Sequence, residues 1–286
     1  MAPDIWFPNL GIELQRVNRV AFSLFNFSVY WYALLIIAGV LAGYATAVAE
    51  AKRSGQKKED YMDLLLIGLV SAIAGLRLFF VAFNWDIYRH DPIRIITGFR
   101  EGGLAIFGGI FASILAVYVF ARIKKLNVWT ILDTCAPSFA IGQVIGRWGN
   151  FFNREAFGGY TDGLFAMRLV RSQVRAPINA EHLENSIIHH GIEYIQVQPS
   201  FLYESAWNLV LFTLLCLYRP RKAFKGEVFW LYLLGYGAGR FLIEAQRTDQ
   251  LMMGSLPISQ VTAALLFLSA VIVIALQRLL LLRNAR

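Results

Sequence analysis

A stretch without one charged residue, Val29 to Ala49, constrains this chain more than any other feature. About 20 residues at about 1.5 Å rise per residue cover the hydrocarbon core of a bilayer, so the stretch reads as a membrane-crossing helix. Six more apolar runs follow, from about Tyr61 to Phe83, Leu104 to Ala121, Val128 to Ile145, Ser200 to Tyr218, Val228 to Ala245 and Leu256 to Leu276. Charged residues make up 16% of the 286, against about a quarter in a soluble domain, which makes lipid the natural solvent. The expectation is an all-α polytopic membrane protein with seven transmembrane helices, residues 1–286 forming a single membrane-embedded domain. Residues 1–26, with Pro3, Pro8, Gly11, Arg16 and Arg19 among apolar neighbours, read as an interfacial segment feeding the first span. The polar stretch 159–198 is long for a loop and predicts a small extracytoplasmic subdomain. No small-residue cleavage site marks the first span, so no cleavable signal peptide is expected.

Basic residues sort between the runs. The connections after spans one, three, five and seven hold four, three, four and three Lys or Arg, and every lysine of the chain lies in one of them. Lys and Arg mark cytoplasmic loops, so the N-terminus is expected outside and the C-terminus in the cytoplasm. The same distribution accounts for the net charge of +8 without nucleic acid as a partner. Cys135 and Cys216 lie inside apolar runs and read as packing residues. Four histidines without a Cys/His cluster argue against a zinc site. No glycine-rich nucleotide loop follows a strand, so neither metal nor organic cofactor is expected. Nor is there an internal repeat of the kind many transporters carry.

Where span four ends, the chain changes character. The run Gly146-Arg147-Trp148-Gly149-Asn150-Phe151-Phe152-Asn153-Arg154-Glu155-Ala156-Phe157-Gly158 packs two arginines, two asparagines, a glutamate and three glycines. In a chain of mean hydropathy +0.51 that density of polar groups has two readings. It is either a capped helix end with interfacial charges, or a place where something anionic is held. Guanidinium forks match phosphate or carboxylate oxygens two at a time, and glycines let backbone N–H groups approach them. The charge count puts this motif at the outer end of its span.

Ionisable residues inside the spans are costly unless paired. Arg77 and Asp133 could serve as partners for one another. Glu204, after Tyr203 at the start of span five, could fix a neighbouring arginine or take part in chemistry. In span six Arg240 and Glu244 stand one turn apart and Arg247 returns to the same face. That ladder is either a self-satisfied ion-pair network or one charge cluster with Arg147, holding a lipid phosphate. Gly235 and Gly239 have the spacing that lets another helix approach. Trp31-Tyr32 fits an interfacial aromatic belt or a functional tyrosine. Gly102-Gly103 and Gly108-Gly109 predict a broken or tightly packed helix entrance.

Taken together these motifs resemble the prolipoprotein diacylglyceryl transferase family. The likeness rests on Gly146-Arg147-x-Gly149-Asn150-Phe151-x-Asn153-x-Glu155-x-x-Gly158. Further blocks agree in order: Trp31-Tyr32, Arg77, the two Gly-Gly pairs, Asp133 with Ala136-Pro137, Gln143, Pro199 with Leu202-Tyr203-Glu204, and Gly239-Arg240 with Glu244 and Arg247. The resemblance implies a seven-span, N-out enzyme of the bacterial cytoplasmic membrane. Its reaction moves the diacylglyceryl group of phosphatidylglycerol to the lipobox cysteine of a preprolipoprotein signal peptide, giving a thioether and glycerol 1-phosphate. Arg147 and Arg240 would bind and polarise the departing phosphate, with Tyr32 lining the site. Asn150, Asn153, Glu155, Gly158 and Arg247 would shape the lipid site. Glu204 and Glu244 would orient the arginines, and Arg77, Gly102, Gly103, Gly108 and Gly109 would support it.

One position departs from the pattern. The family commonly has a histidine, proposed as the base for the thiol, where this chain has Phe107, and often another where it has Gln198. Adjacent guanidinium groups favour a thiolate, so an arginine-lined site can generate the nucleophile without a dedicated base. Tyr32, Glu155, His189 and His190 are the other candidates. A non-catalytic lipid- or signal-peptide-binding homologue and an anion transporter are the rival functions.

Overall fold

The structure is a computed structural model that describes all residues except 1, 26, 99–101, 249, 251, 255 and 285–286. Arg286, counted above among the basic residues, lies outside the described residues. In chain order the elements are β1 (Ile5–Phe7), β2 (Ile12–Leu14), β3 (Val20–Leu24), β4 (Phe27–Tyr30), α1 (Trp31–Arg53) and α2 (Lys58–Phe83). Then come the short α3 (Trp85–Tyr88) and α4 (Arg94–Thr97), followed by α5 (Ile106–Lys124) and α6 (Val128–Asn153). After them lie β5 (Met167–Val170), α7 (Ala180–Glu184), β6 (Ile187–His189), β7 (Ile192–Val197), α8 (Ser200–Tyr218), α9 (Glu227–Glu244), β8 (Met252–Met253), β9 (Leu256–Pro257) and α10 (Ile258–Asn284).

Among the described residues, six helices are long and apolar enough to cross a membrane: α1, α2, α5, α6, α8 with the turn extending it to Arg221, and α10. They coincide with six of the seven expected spans. The seventh, α9, has 18 residues and carries Glu227, Arg240 and Glu244, too many charges to qualify on composition. Those charges are paired inside the protein. Glu227, 1% exposed, accepts the Nε–H of Arg278 from α10 at 2.7 Å.

The all-α expectation needs correction. Residues 1–26 and 159–198 contribute to one antiparallel five-stranded sheet of order β2-β1-β5-β7-β6. Side chains alternate across a strand, so Ile5 and Phe7, Met167 and Leu169, and Ile195 and Val197 fall on one face. The register sets Ile5 opposite Leu169 and Leu169 opposite Ile195. This row is buried against Phe151, Phe157 and Phe201, which come from the end of α6, the loop after it and the start of α8. The sheet is thereby fastened to the signature motif. The N-terminal residues supply two strands of this sheet, β1 and β2.

Contacts divide the chain into two compact units, residues 1–43 with 135–286, and residues 44–134. In the first, α8, α9 and α10 pack through glycines of α9. Trp207 of α8 lies against Gly239 and donates its indole N–H to the Gly235 carbonyl at 2.8 Å. Gly237 abuts Ala263 and Phe267 of α10. In the second, α2 and α5 approach so closely that a Cβ on Gly108 would stand 2.2 Å from the Gly75 carbonyl oxygen. Before α5 the chain turns through Gly103, whose φ of +77° favours glycine. Arg77, 3% exposed, clamps this turn: its guanidinium donates to the carbonyls of Arg94, Ile95, Gly102 and Gly103 at 2.7 to 3.2 Å.

Candidate active site

Three arginines from two helix ends converge on two buried carboxylates, all within the first unit. Glu204 sits one turn into α8 and is buried. Its Oε2 lies 2.7 Å from Arg147 Nη2 of α6 and 3.1 Å from Arg240 Nη1 of α9. Arg247 Nη1 is 3.7 Å from the other oxygen, Oε1. Arg240 turns its second nitrogen to Glu244, one helical turn on, at 2.6 Å. That contact is an ion pair off the hydrogen-bond direction, since Glu244 Oε2 has no hydrogen-bond partner. Arg247 reaches the same oxygen at 4.0 Å. The cluster contains three guanidiniums and two carboxylates, leaving one excess positive charge in a poorly solvated place.

The backbone that holds these side chains is tied at the end of the motif. Gly158 donates to the Gln198 carbonyl at 2.9 Å and Gln198 donates to Gly159 at 3.0 Å. Gly159 donates to the Gln246 carbonyl at 3.1 Å, and Gly158 forms a β-bridge with Arg247. Three segments are fixed at one point: the chain after α6, the residues before α8 and the residues after α9. A Cβ on Gly158 would stand 2.8 Å from the Gln246 carbonyl oxygen. Upstream, Asn150 and Asn153 both donate to Glu155 Oε1, at 3.1 and 3.0 Å.

A sequence profile described as prolipoprotein diacylglyceryl transferase matches residues 19–276. A protein of Enterococcus faecalis named phosphatidylglycerol–prolipoprotein diacylglyceryl transferase is 40% identical over 269 residues, 93% of this chain and 92% of its own length. Proteins of the same name from Bacillus cytotoxicus and Limosilactobacillus reuteri are 39% and 40% identical, each covering 94% of its own length and 93% and 94% of this chain. The chain belongs to the prolipoprotein diacylglyceryl transferase family.

Of the residues expected to serve a diacylglyceryl transferase, Arg147, Arg240, Arg247, Glu204 and Glu244 form one ion-pair cluster. Asn150, Asn153 and Glu155 form a separate hydrogen-bonded triad on the same motif, and Gly158 ties the backbone. Tyr32 is half-exposed at the start of α1, its ring lying where a Cβ on Gly149 would come within 2.7 Å. Trp31 beside it stacks on Phe152 at 5.2 Å. Arg77, Gly102, Gly103, Gly108 and Gly109 lie in the 44–134 unit, in the clamp and helix pair described above. Phe107 is there too, in the first turn of α5 and exposed.

His189 ends β6, the sheet's terminal strand, and His190 lies in the turn to β7, with His189 against Trp6 at 5.1 Å. A different histidine touches the motif and escaped sequence reading. His182, fully buried in α7, accepts the Asn179 N–H at Nδ1 (3.4 Å) and donates from Nε2 to the Gly158 carbonyl at 3.2 Å. The tautomer follows from the partners, because a carbonyl can only accept. Its signal was the spacing Asn179-x-x-His182, a capping box with histidine in the usual Glu or Gln place.

Proposed function

We propose that this protein transfers the diacylglyceryl group of phosphatidylglycerol to the lipobox cysteine of a preprolipoprotein signal peptide in the bacterial cytoplasmic membrane. The observation that carries the reading is the convergence of Arg147 and Arg240 on Glu204. A phosphodiester brings the single negative charge that the cluster lacks. The cysteine sulfur attacks the diacylglycerol carbon bearing the phosphate ester, an S–C bond forms and that carbon's C–O bond to the phosphate breaks. Its electron pair goes to the phosphate oxygen, so glycerol 1-phosphate leaves with a second negative charge, and the thiol proton passes to solvent or base. Arginines fixed in advance by Glu204 and Glu244 stabilise charge that grows during the step, the largest source of rate in such sites. The same positive field favours the thiolate, which accommodates Phe107 where a base was expected.

In this reading α9 is the seventh span, its charges compensated by Arg278 and by the cluster. The positive-inside pattern sets the N-terminus and the sheet outside. Lipid and peptide both enter laterally from the bilayer. The test is incubation of the protein with phosphatidylglycerol and a lipobox peptide, read by mass spectrometry. A mass gain of one diacylglyceryl group on wild type, lost with Arg147→Gln, supports the transferase. Binding of both substrates without mass gain favours the non-catalytic homologue that Phe107 makes conceivable.

A further inference from the structure

A cavity of about 550 Å³ lies against the N-terminal segment and the chain that follows the signature motif. Arg147, Arg240 and Arg247 do not line it. Its walls carry three guanidinium groups, Arg19, Arg154 and Arg175, against one carboxylate, Asp4. Asp4 is already engaged, accepting the Val17 N–H at 2.9 Å. The excess is two positive charges.

Arg154 is the unusual member. It is 7% exposed, yet among the described residues its side chain meets one protein acceptor, the Val17 carbonyl, through Nη2 at 2.7 Å. Its Nε is buried without a partner. Burial pulls the guanidinium below its ordinary pKa, with Asp4 opposing that shift and Arg19 adding to it. The backbone is strained as well: φ is 52°, the left-handed region that a branched-off Cβ disfavours. A buried guanidinium with one neutral hydrogen-bond acceptor and no ion-pair contact within 4 Å among the described residues is costly, and an anion in the cavity would reduce that cost.

We propose that this cavity is a second anion site, taking a small phosphate monoester. The ligand's identity rests on the function proposed above, whose product is glycerol 1-phosphate. Charge does the selecting. A lipid phosphodiester carries one negative charge, whereas a phosphate monoester carries about −1.5 to −2 at pH 7, matching the two excess positive charges of the walls. Ser172, Gln173 and Asn153 offer neutral polar groups to the glycerol hydroxyls. Asn153 also donates to Glu155, so the cavity adjoins the hydrogen-bonded triad of the signature motif. A product drawn here leaves the arginine cluster open for the next lipid.

Equilibrium dialysis of the detergent-solubilised full chain with labelled glycerol 1-phosphate tests this, with inorganic phosphate and phosphatidylglycerol vesicles as competitors. Saturable binding is expected that inorganic phosphate displaces and the vesicles do not. It should weaken about tenfold or more in Arg154→Gln, and change less than about threefold in Arg147→Gln. Arg154 also holds Val17, so the Arg19→Gln/Arg175→Gln double variant, which cancels the excess charge without touching that bond, should show the same loss. Unchanged affinity in both Arg154→Gln and the double variant overturns the proposal. So does a loss confined to Arg147→Gln, or displacement by the vesicles, which would assign the anion to the lipid cluster. Transfer measured in parallel separates the two readings: Arg154-dependent binding without wild-type transfer upholds the anion site while the enzymatic reading fails.

Discussion

Arg147 and Arg240 share one oxygen: Glu204 Oε2 lies 2.7 Å from the first and 3.1 Å from the second. Two like charges brought this close need the carboxylate between them. Glu204→Gln keeps the shape and removes the charge, leaving Glu244 to face three guanidiniums. Breaking a buried pair this way costs about 3–5 kcal/mol, and thermal unfolding in detergent should register it. Arg147→Lys keeps the charge and loses the planar fork, so its stability should stay near wild type while transfer falls about 10²-fold or more. If the two variants lost stability and activity in parallel, the arginines would be structural ballast.

Gly158 carries a second prediction. With the Gln246 carbonyl oxygen 2.8 Å from where its Cβ would be, Gly158→Ala must push backbone against backbone. Overpacking of this kind costs about 1–3 kcal/mol. The displaced segment contains Arg247, so transfer should fall further than the stability loss explains. His182→Ala strips the Gly158 carbonyl of a donor and should cost about 1–3 kcal/mol by leaving a buried acceptor unpaired. His182→Gln, which can still donate, should recover part of it. Equal melting curves for the Ala and Gln variants would mean that the histidine merely fills space.

Arg77 gives a third. Its guanidinium serves the carbonyls of Arg94, Ile95, Gly102 and Gly103, so Arg77→Met removes one donor group from four part-buried acceptors at once. Each such bond contributes about 0.5–1.5 kcal/mol net. Limited proteolysis should then cut near residues 94–103 much faster than in wild type. An unchanged cleavage rate would show that other groups hold this turn.

The spans were legible because hydrocarbon imposes length and composition at the same time, and six runs meet both demands without help from context. The expected run Val228 to Ala245 folds as the helix α9, but it does not meet both demands by itself, because its ions find Arg278 and the cluster, partners that lie elsewhere in the chain. Arg147, Glu204, Arg240 and Glu244 stood out for the same reason that makes them costly: charges in apolar runs ask for partners. The sheet was missed. Its strands are three to six residues long and come from both sides of a long helical stretch, so Ile5-x-Phe7 and Met167-x-Leu169 give too few alternations to announce strands. Pro3, Pro8 and Gly11 around the first of them pointed instead to an irregular tether. Arg154 was one of two motif arginines that could be interfacial or anion-holding, because its burial with an unpartnered Nε is a property of the folded chain alone.

The last prediction concerns Phe107 and the proton of the incoming thiol. A peptide thiol ordinarily has a pKa of about 8.5. The one excess positive charge of the cluster lowers it by favouring the thiolate. Activity then follows the thiolate fraction: it rises with pH and levels off above the lowered thiol pKa, with no inflection required near the ordinary histidine value of about 6.5. Phe107→His should therefore change kcat/KM by less than about tenfold, since the nucleophile is already generated. A general base contributes about 10²–10⁴-fold where it is the missing element. A gain of that size in the histidine variant, with a new inflection near the histidine pKa, would defeat the arginine-activated thiolate and show that the wild-type chain runs its reaction without a group it could use.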